Sequence, residues 1–177
     1  MAKKMIFVSP PHPAQLPDAD LLAQCETTFG RTSGPGGQHR NKVETAVEIC
    51  HTPTEIIARA TERRKQHENR RRALFRLRVK LARRVRTKTH RDRHRPSELW
   101  ERRRQGTKMS VNPEHADYPP LLAEALDVIV ARNYDVAGAA GVLGISMSQL
   151  AKLLRHERHA LALVNEAREA RGLHTLK

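Results

Sequence analysis

From Gln66 onward Leu74, Leu77, Leu81 and Val85 recur at steps of three and four within a stretch otherwise crowded with arginine. That spacing gives a helix one narrow apolar stripe and commits its other faces to water or to a charged partner. Over residues 59–108 there are 21 Lys/Arg against 5 Asp/Glu, a net of +16 that exceeds the +14 of the whole 177-residue chain. Cations at this density repel one another unless a polyanion neutralises them. The segment therefore predicts a long basic helix lying on phosphate backbone, with Arg63, Arg64, Lys65, Arg70, Arg71, Arg72, Arg76, Arg78, Arg83 and Arg84 as contacts. Only 3% of the chain is aromatic, so stacking on many unpaired bases is excluded as the main mode of recognition.

Ahead of this helix the pattern is different. Pro10, Pro11, Pro13 and Pro17 make residues 1–17 an extended arm lying against the domain surface. Asp18 to Asp20 offer an N-cap for a short helical turn through Leu21 and Gln24. Cys25–Arg31 reads as a strand, Val43–His51 as a second strand and Glu55–Ala60 as a third, with Pro53 in the turn between the last two. Between the first two strands lies Ser33-Gly34-Pro35-Gly36-Gly37-Gln38-His39-Arg40-Asn41-Lys42. Three glycines and a proline in four positions cannot sit inside a helix or a strand, so this is an exposed loop mounted on rigid elements.

The run Arg31-Thr32-Ser33-Gly34-Pro35-Gly36-Gly37-Gln38-His39, followed by Asn41-Lys42, Ala46-Val47 and His51-Thr52-Pro53-Thr54, resembles the signature of the class I peptide chain release factors and their ribosome-rescue relatives. Arg64, Gln66 and Asn69-Arg70 are similar to the polar segment that opens the long helix of that domain. The resemblance covers roughly residues 20–86. It departs from the usual pattern at Arg40, where the family has valine, at Glu55, where it has glycine, and at Arg63, where it has an acidic residue. What it implies is hydrolysis of the ester between nascent peptide and tRNA in the peptidyl transferase centre. The partners it implies are the rRNA of the large ribosomal subunit and peptidyl-tRNA.

The residues suit that chemistry. Water can cleave an ester without a protein nucleophile, provided a donor stands where charge develops on the oxyanion or the departing ribose oxygen, and a preorganised backbone N–H serves. Gly36 and Gly37 let the chain turn the Gln38 N–H outward. The Gln38 side chain then shapes a pocket for water and excludes bulkier nucleophiles. Ser33, Gly34, Pro35, His39 and Asn41 support the loop, and Arg40 and Lys42 extend the RNA contacts.

Beyond Pro119-Pro120 the composition shifts: residues 117–177 carry 7 Lys/Arg and 7 Asp/Glu. Helices are expected over Leu121–Arg132, Val136–Leu143, Met147–Arg155 and Ala160–Arg171. Gly144 ends one helix and Ser146 caps the next, a pattern similar to a helix-turn-helix. With only Lys152 and Arg155 to serve as basic reading groups, a packing module is favoured over a DNA-binding one. Residues 87–116 read as a linker with one helical turn capped by Ser97, and Trp100 as a packing anchor.

The resulting expectation is an α+β chain: a catalytic domain over residues 1–105 in which a small sheet with the glycine loop packs on the basic helix, a linker over 106–118, and an all-α domain over 119–177. Decoding release factors carry large codon-reading domains that a chain of this length cannot hold, so codon-independent ribosome rescue is the function expected. The alternative is a non-catalytic rRNA-binding or ribosome-assembly factor that keeps the fold. Cys25 and Cys50 lack Cys-x-x-Cys spacing and read as small core residues, and the ten histidines are scattered, with His39, His51, His67, His90 and His94 among arginines that repel a cation, so no metal or other cofactor is assigned. No apolar run approaches the roughly 18 residues of a membrane span. A cytoplasmic protein, monomeric off the ribosome, is expected.

Overall fold

The computed structural model describes residues 5–31 and 44–177. In chain order the elements are β1 (Ile6–Val8), α1 (Asp18–Ala23), β2 (Cys25–Gly30), β3 (Ala46–His51), β4 (Ile56–Ala60) and α2 (Gln66–Arg84). They continue with β5 (Val85–Thr87), α3 (Glu98–Arg103), β6 (Arg104–Gln105), β7 (Lys108–Met109), α4 (Tyr118–Ala131), α5 (Val136–Val142), α6 (Met147–Arg155) and α7 (Arg158–Glu169). The fold is α+β, with small sheets and a helical C-terminal region, as the sequence predicts. The described residues pack as two units, one within 16–81 and one joining 5–15 to 82–177. The boundaries expected at 105 and 118 fall inside the second.

In the first unit β2, β3 and β4 form an antiparallel sheet with β3 in the middle. Val47 pairs with Ala60, Ile49 with Ala58 and His51 with Ile56, and all six are buried, so the strand period of two puts them on one inward face. The turn between β3 and β4 forces Glu55 to φ 54°, a left-handed backbone that glycine adopts without penalty. This gives a physical reason for the glycine usual at that position. Along α2, Arg76 Nη1 donates to the Arg59 carbonyl at 2.8 Å and Lys80 Nζ to the Ile57 carbonyl at 2.6 Å. The outer edge of β4 is thereby satisfied by helix side chains instead of lying open to another strand.

Some details differ from expectation. Pro17, not an aspartate, occupies the N-cap of α1 and no side chain caps it; Asp18 and Asp20 lie in the first turn, where their charge favours the helix dipole. Cys25 and Cys50 are half-buried in neighbouring strands instead of sitting in the core.

In the second unit the N-terminal arm forms a strand: β1 pairs in parallel with β5, Ile6 opposite Val85 and Val8 opposite Thr87. Behind it His12 is buried, with Nε2 3.0 Å from the Val85 carbonyl and Nδ1 accepting from the Ala14 N–H. The stretch read as a linker holds α3 and the β6–β7 hairpin. Ser97 Oγ caps α3 by accepting from Trp100 N. Trp100 is fully buried and donates from Nε1 to the Leu143 carbonyl at 2.8 Å, the anchoring role expected of it. Gly144, at φ 68°, ends the α5 segment, and Ser146 caps α6 by accepting from Gln149 N. Thr107 and Met109 of the hairpin bond to this turn through Ser146 N and Gln149 Oε1. Among the described residues no single helix is long and apolar enough to cross a membrane.

Candidate active site

The glycine loop and its flanks, with Ser33, Gly34, Pro35, Gly36, Gly37, Gln38, His39, Arg40, Asn41 and Lys42, lie outside the described residues. What is described is the platform that carries them. The ladder between β2 and β3 closes with Gly30 opposite Ala46, so the two ends of the loop leave one end of a paired hairpin. Arg31 and Glu44 face each other just beyond it at 3.8 Å, both largely exposed, a contact worth little in water.

The returning end is tied to the start of α2. Gln66 Nε2 donates to the Glu44 carbonyl at 3.0 Å. Asn69, with no exposed surface, donates from Nδ2 to the Thr45 carbonyl at 2.7 Å and to the Arg63 carbonyl at 2.9 Å, while its Oδ1 accepts from Arg63 N. One buried amide therefore joins the loop's return to the turn that opens the basic helix, with both of its polar ends satisfied. Gln66 and Asn69 were singled out in the sequence only through their resemblance to a family segment; nothing in their spacing revealed this positioning role.

A second anchor sits at the other end of the hairpin. His51 is buried, with Nδ1 2.7 Å from Thr54 Oγ1 and Nε2 3.1 Å from Gln24 Oε1. Burial holds its pKa below the ordinary histidine range, so it stays neutral and structural at physiological pH.

The predicted RNA contacts divide into two groups. Arg63, Arg64, Lys65, Arg70 and Arg71 are exposed around the start of α2. Others are engaged within the fold. Arg78 is buried and pairs with Asp18 at 2.7 Å. Arg72 and Arg76 share Glu62 at 2.8 and 2.7 Å, and Arg83 meets Glu157 at 3.4 Å. Arg84 is partly covered, its buried Nε having no hydrogen-bond partner among the described residues. Partial burial pushes the Glu62 pKa up, but hydrogen bonds from the Thr61 and Glu62 backbone and from Arg76 outweigh it and bring it down to about 2. Glu62 is thus an anion at every working pH and holds two of the helix's arginines in place.

The described platform is thus a two-stranded ladder whose open end flanks the glycine-rich segment, with the start of a basic helix bonded to Glu44 and Thr45 on the returning side. The family model of the RF-1 domain matches residues 17–115, more than half of the chain, and the chain belongs to that family, the class I peptide chain release factors. It is 49% identical over 67 residues to the chloroplastic peptide chain release factor PrfB1 of Arabidopsis thaliana, covering 38% of this chain and 14% of that protein. It is 42% identical over 76 residues to peptide chain release factor 2 of Stenotrophomonas maltophilia, covering 43% and 20%. Against peptide chain release factor 1 of Burkholderia multivorans it is 36% identical over 88 residues, covering 46% and 23%. The chain thus spans less than a quarter of the length of these relatives.

Proposed function

We propose that this chain hydrolyses peptidyl-tRNA on the ribosome without reading a codon, releasing nascent peptide from stalled complexes. The observation that carries the reading is Gly36-Gly37-Gln38 within a matched release-factor domain whose loop-bearing hairpin is pinned by Gln66 and Asn69. In the reaction a water oxygen attacks the ester carbonyl carbon and the bond to the ribose oxygen breaks. One of the water's protons passes to that oxygen and the other is released to solvent, leaving a peptide carboxylate and a tRNA hydroxyl. Gly36 and Gly37 supply the backbone geometry. The Gln38 N–H stabilises the charge on oxygen, its side-chain amide admits water, and the ribosome contributes the rest of the site. The exposed Arg63, Arg64, Lys65, Arg70 and Arg71, with Arg40 and Lys42, hold the domain on rRNA. The codon-independent part of the reading draws on the C-terminal side of the matched domain, where residues 118–169 fold as a helical module.

The test is release of labelled peptide from ribosomes stalled on mRNA lacking a stop codon, compared with ribosomes that hold one. Wild type should act equally on both. Gly37→Ala should lower the rate by about 10²–10³-fold, the usual cost of losing an oxyanion donor, and by more than Gln38→Ala does. A Gly37→Ala protein as active as wild type would sink the hydrolase reading, and release only at stop codons would sink the codon-independent one.

A further inference from the structure

Residues 117–177 are neutral by count, with 7 Lys/Arg and 7 Asp/Glu, but the two signs sit at different depths. Glu124 and Asp127 are 3% and 5% exposed. Glu124 accepts from His94 Nε2, Ser97 N and Ser97 Oγ, and Asp127 from Arg86 Nη1, Thr87 N and Thr87 Oγ1. Asp117 pairs with Arg103, and Glu157 with Arg83. Four of the seven carboxylates are therefore occupied by partners from the segment that precedes them. A fifth, Asp135, pairs with Arg132.

Of the seven cations, Arg132, Arg168 and Arg171 are likewise engaged within the fold, but those of α6 and the start of α7 are not. Leu150, Ala151, Leu153 and Leu154 form the buried side of α6, and Ser148, Lys152 and Arg155 follow one another at i, i+4 and i+7 on its exposed side. Arg158 follows at the start of α7, with His156 and His159 beside it, all exposed. The side chains of Lys152, Arg155 and Arg158 make no hydrogen bond or ion pair among the described residues. The exposed carboxylates of α7, Glu166 and Glu169, begin eight residues beyond Arg158, about 12 Å along the axis. A hollow of about 130 Å³ lined by Met109, Ser110, Val111, Lys152, Leu153 and His156 adjoins the stripe.

We propose that this face of α6, with Arg158, is a second RNA contact that grips the phosphate backbone of ribosomal RNA. The proposal rests on the ribosomal reading above for its choice of polyanion. Its chemistry favours backbone contact over base reading. The exposed residues that open α6 are Met147 and Ser148, and Gln149 is half-buried with its amide oxygen accepting from Met109 N, so no Arg or Asn and no bidentate Gln is offered at the helix start to read base edges. The net-zero count hides a cationic surface on α6, because most of the carboxylates are taken up by partners elsewhere in the fold.

The experiment measures binding of the full chain to ribosomes stalled on stop-less mRNA across a salt series, comparing wild type with Lys152→Ala/Arg155→Ala and Lys152→Glu/Arg155→Glu. Both substitutions are on exposed positions, and an unchanged thermal transition verifies the fold. The expected result is an affinity about 10-fold lower near 0.1 M salt and a log–log salt slope shallower by about two, with release at saturating protein unchanged. Variants that match wild type in affinity and slope overturn the proposal, as does a larger loss on duplex DNA than on ribosomes. If wild type binds in an α6-dependent way but releases no peptide, the RNA contact stands and the hydrolase reading falls; the reverse pattern leaves the hydrolase and removes the contact. Wild type that does not bind ribosomes overturns both.

Discussion

The two units differ in their deepest ion pair, although both carry pairs at the surface. Within 16–81 the ion pairs reach the surface: Glu62, bridging Arg72 and Arg76, keeps 37% of its side chain exposed, and Asp18, facing Arg78, keeps 71%. In the other unit Arg86 and Asp127 are 2% and 5% exposed and meet at 2.9 Å, with Thr87 completing the carboxylate and the Ala82 and Ala123 carbonyls completing the guanidinium. Surface pairs orient cations toward an outside partner at small energetic gain, whereas a buried pair is an internal constraint whose halves depend on each other. The difference teaches that formal charge summed along a sequence predicts surface charge only where the acids stay outside.

The contrast should be largest in stability. Asp127→Ala strands Arg86 in a dry site and should cost about 3–5 kcal/mol in denaturant unfolding, whereas Glu62→Ala, on a half-exposed group, should cost no more than about 1 kcal/mol. Equal costs would break the distinction between the units. His12 supplies a pH-dependent counterpart in the same buried region. Burial, then the nearby Arg86 charge, lowers its pKa to about 4, only partly offset by its bond to the Val85 carbonyl. A histidine whose folded pKa lies below its unfolded value of about 6.5 is penalised when protonated, so its contribution is complete above that value and is lost as pH falls toward 4. The loss, about 3 kcal/mol, should appear as a falling denaturation midpoint over that window and flatten in His12→Gln.

The α2 helix, the three-stranded sheet and the C-terminal helices were legible because each carries a periodic apolar pattern long enough to detect. The pairing of β1 with β5 was not, since three-residue strands separated by nearly eighty residues leave no period and the prolines around them point to an extended arm. Trp100 and the Gly144–Ser146 turn were legible from residue chemistry alone. The inward turning of Glu124 and Asp127 was not, because acidic residues within α4 look like a solvated face until their partners, Arg86 and His94, are brought to them by the fold. At the candidate site the glycine loop stood out through its backbone demands, whereas Asn69, which ties Thr45 to Arg63, is an ordinary polar residue in a helix.

Asn69 carries the next prediction. Asn69→Leu leaves the Thr45 and Arg63 carbonyls and the Arg63 N–H without their partner, at a cost of about 1–3 kcal/mol. If Asn69 positions the loop, peptide release at saturating protein should fall while ribosome affinity, which the proposed function assigns to the surrounding exposed arginines, stays near wild type. A parallel loss of affinity would instead make it a residue of the RNA surface.

The smallest effect belongs to the turn between β3 and β4. Glu55 sits at φ 54° with its N–H bonded to the His51 carbonyl at 2.8 Å, and its side chain is exposed. A left-handed backbone costs a side-chain-bearing residue about 1–2 kcal/mol, part of which Glu55→Gly would return in extra freedom of the unfolded chain. The substitution should therefore stabilise the protein by up to about 1 kcal/mol, read as a higher denaturation midpoint, with release unaffected because the turn lies at the end of the hairpin away from the loop. Glu55→Ala, which keeps the Cβ and with it the strain, should give no such gain. A gain from alanine equal to that from glycine would assign the effect to the lost carboxylate charge and remove backbone strain from the account of this turn.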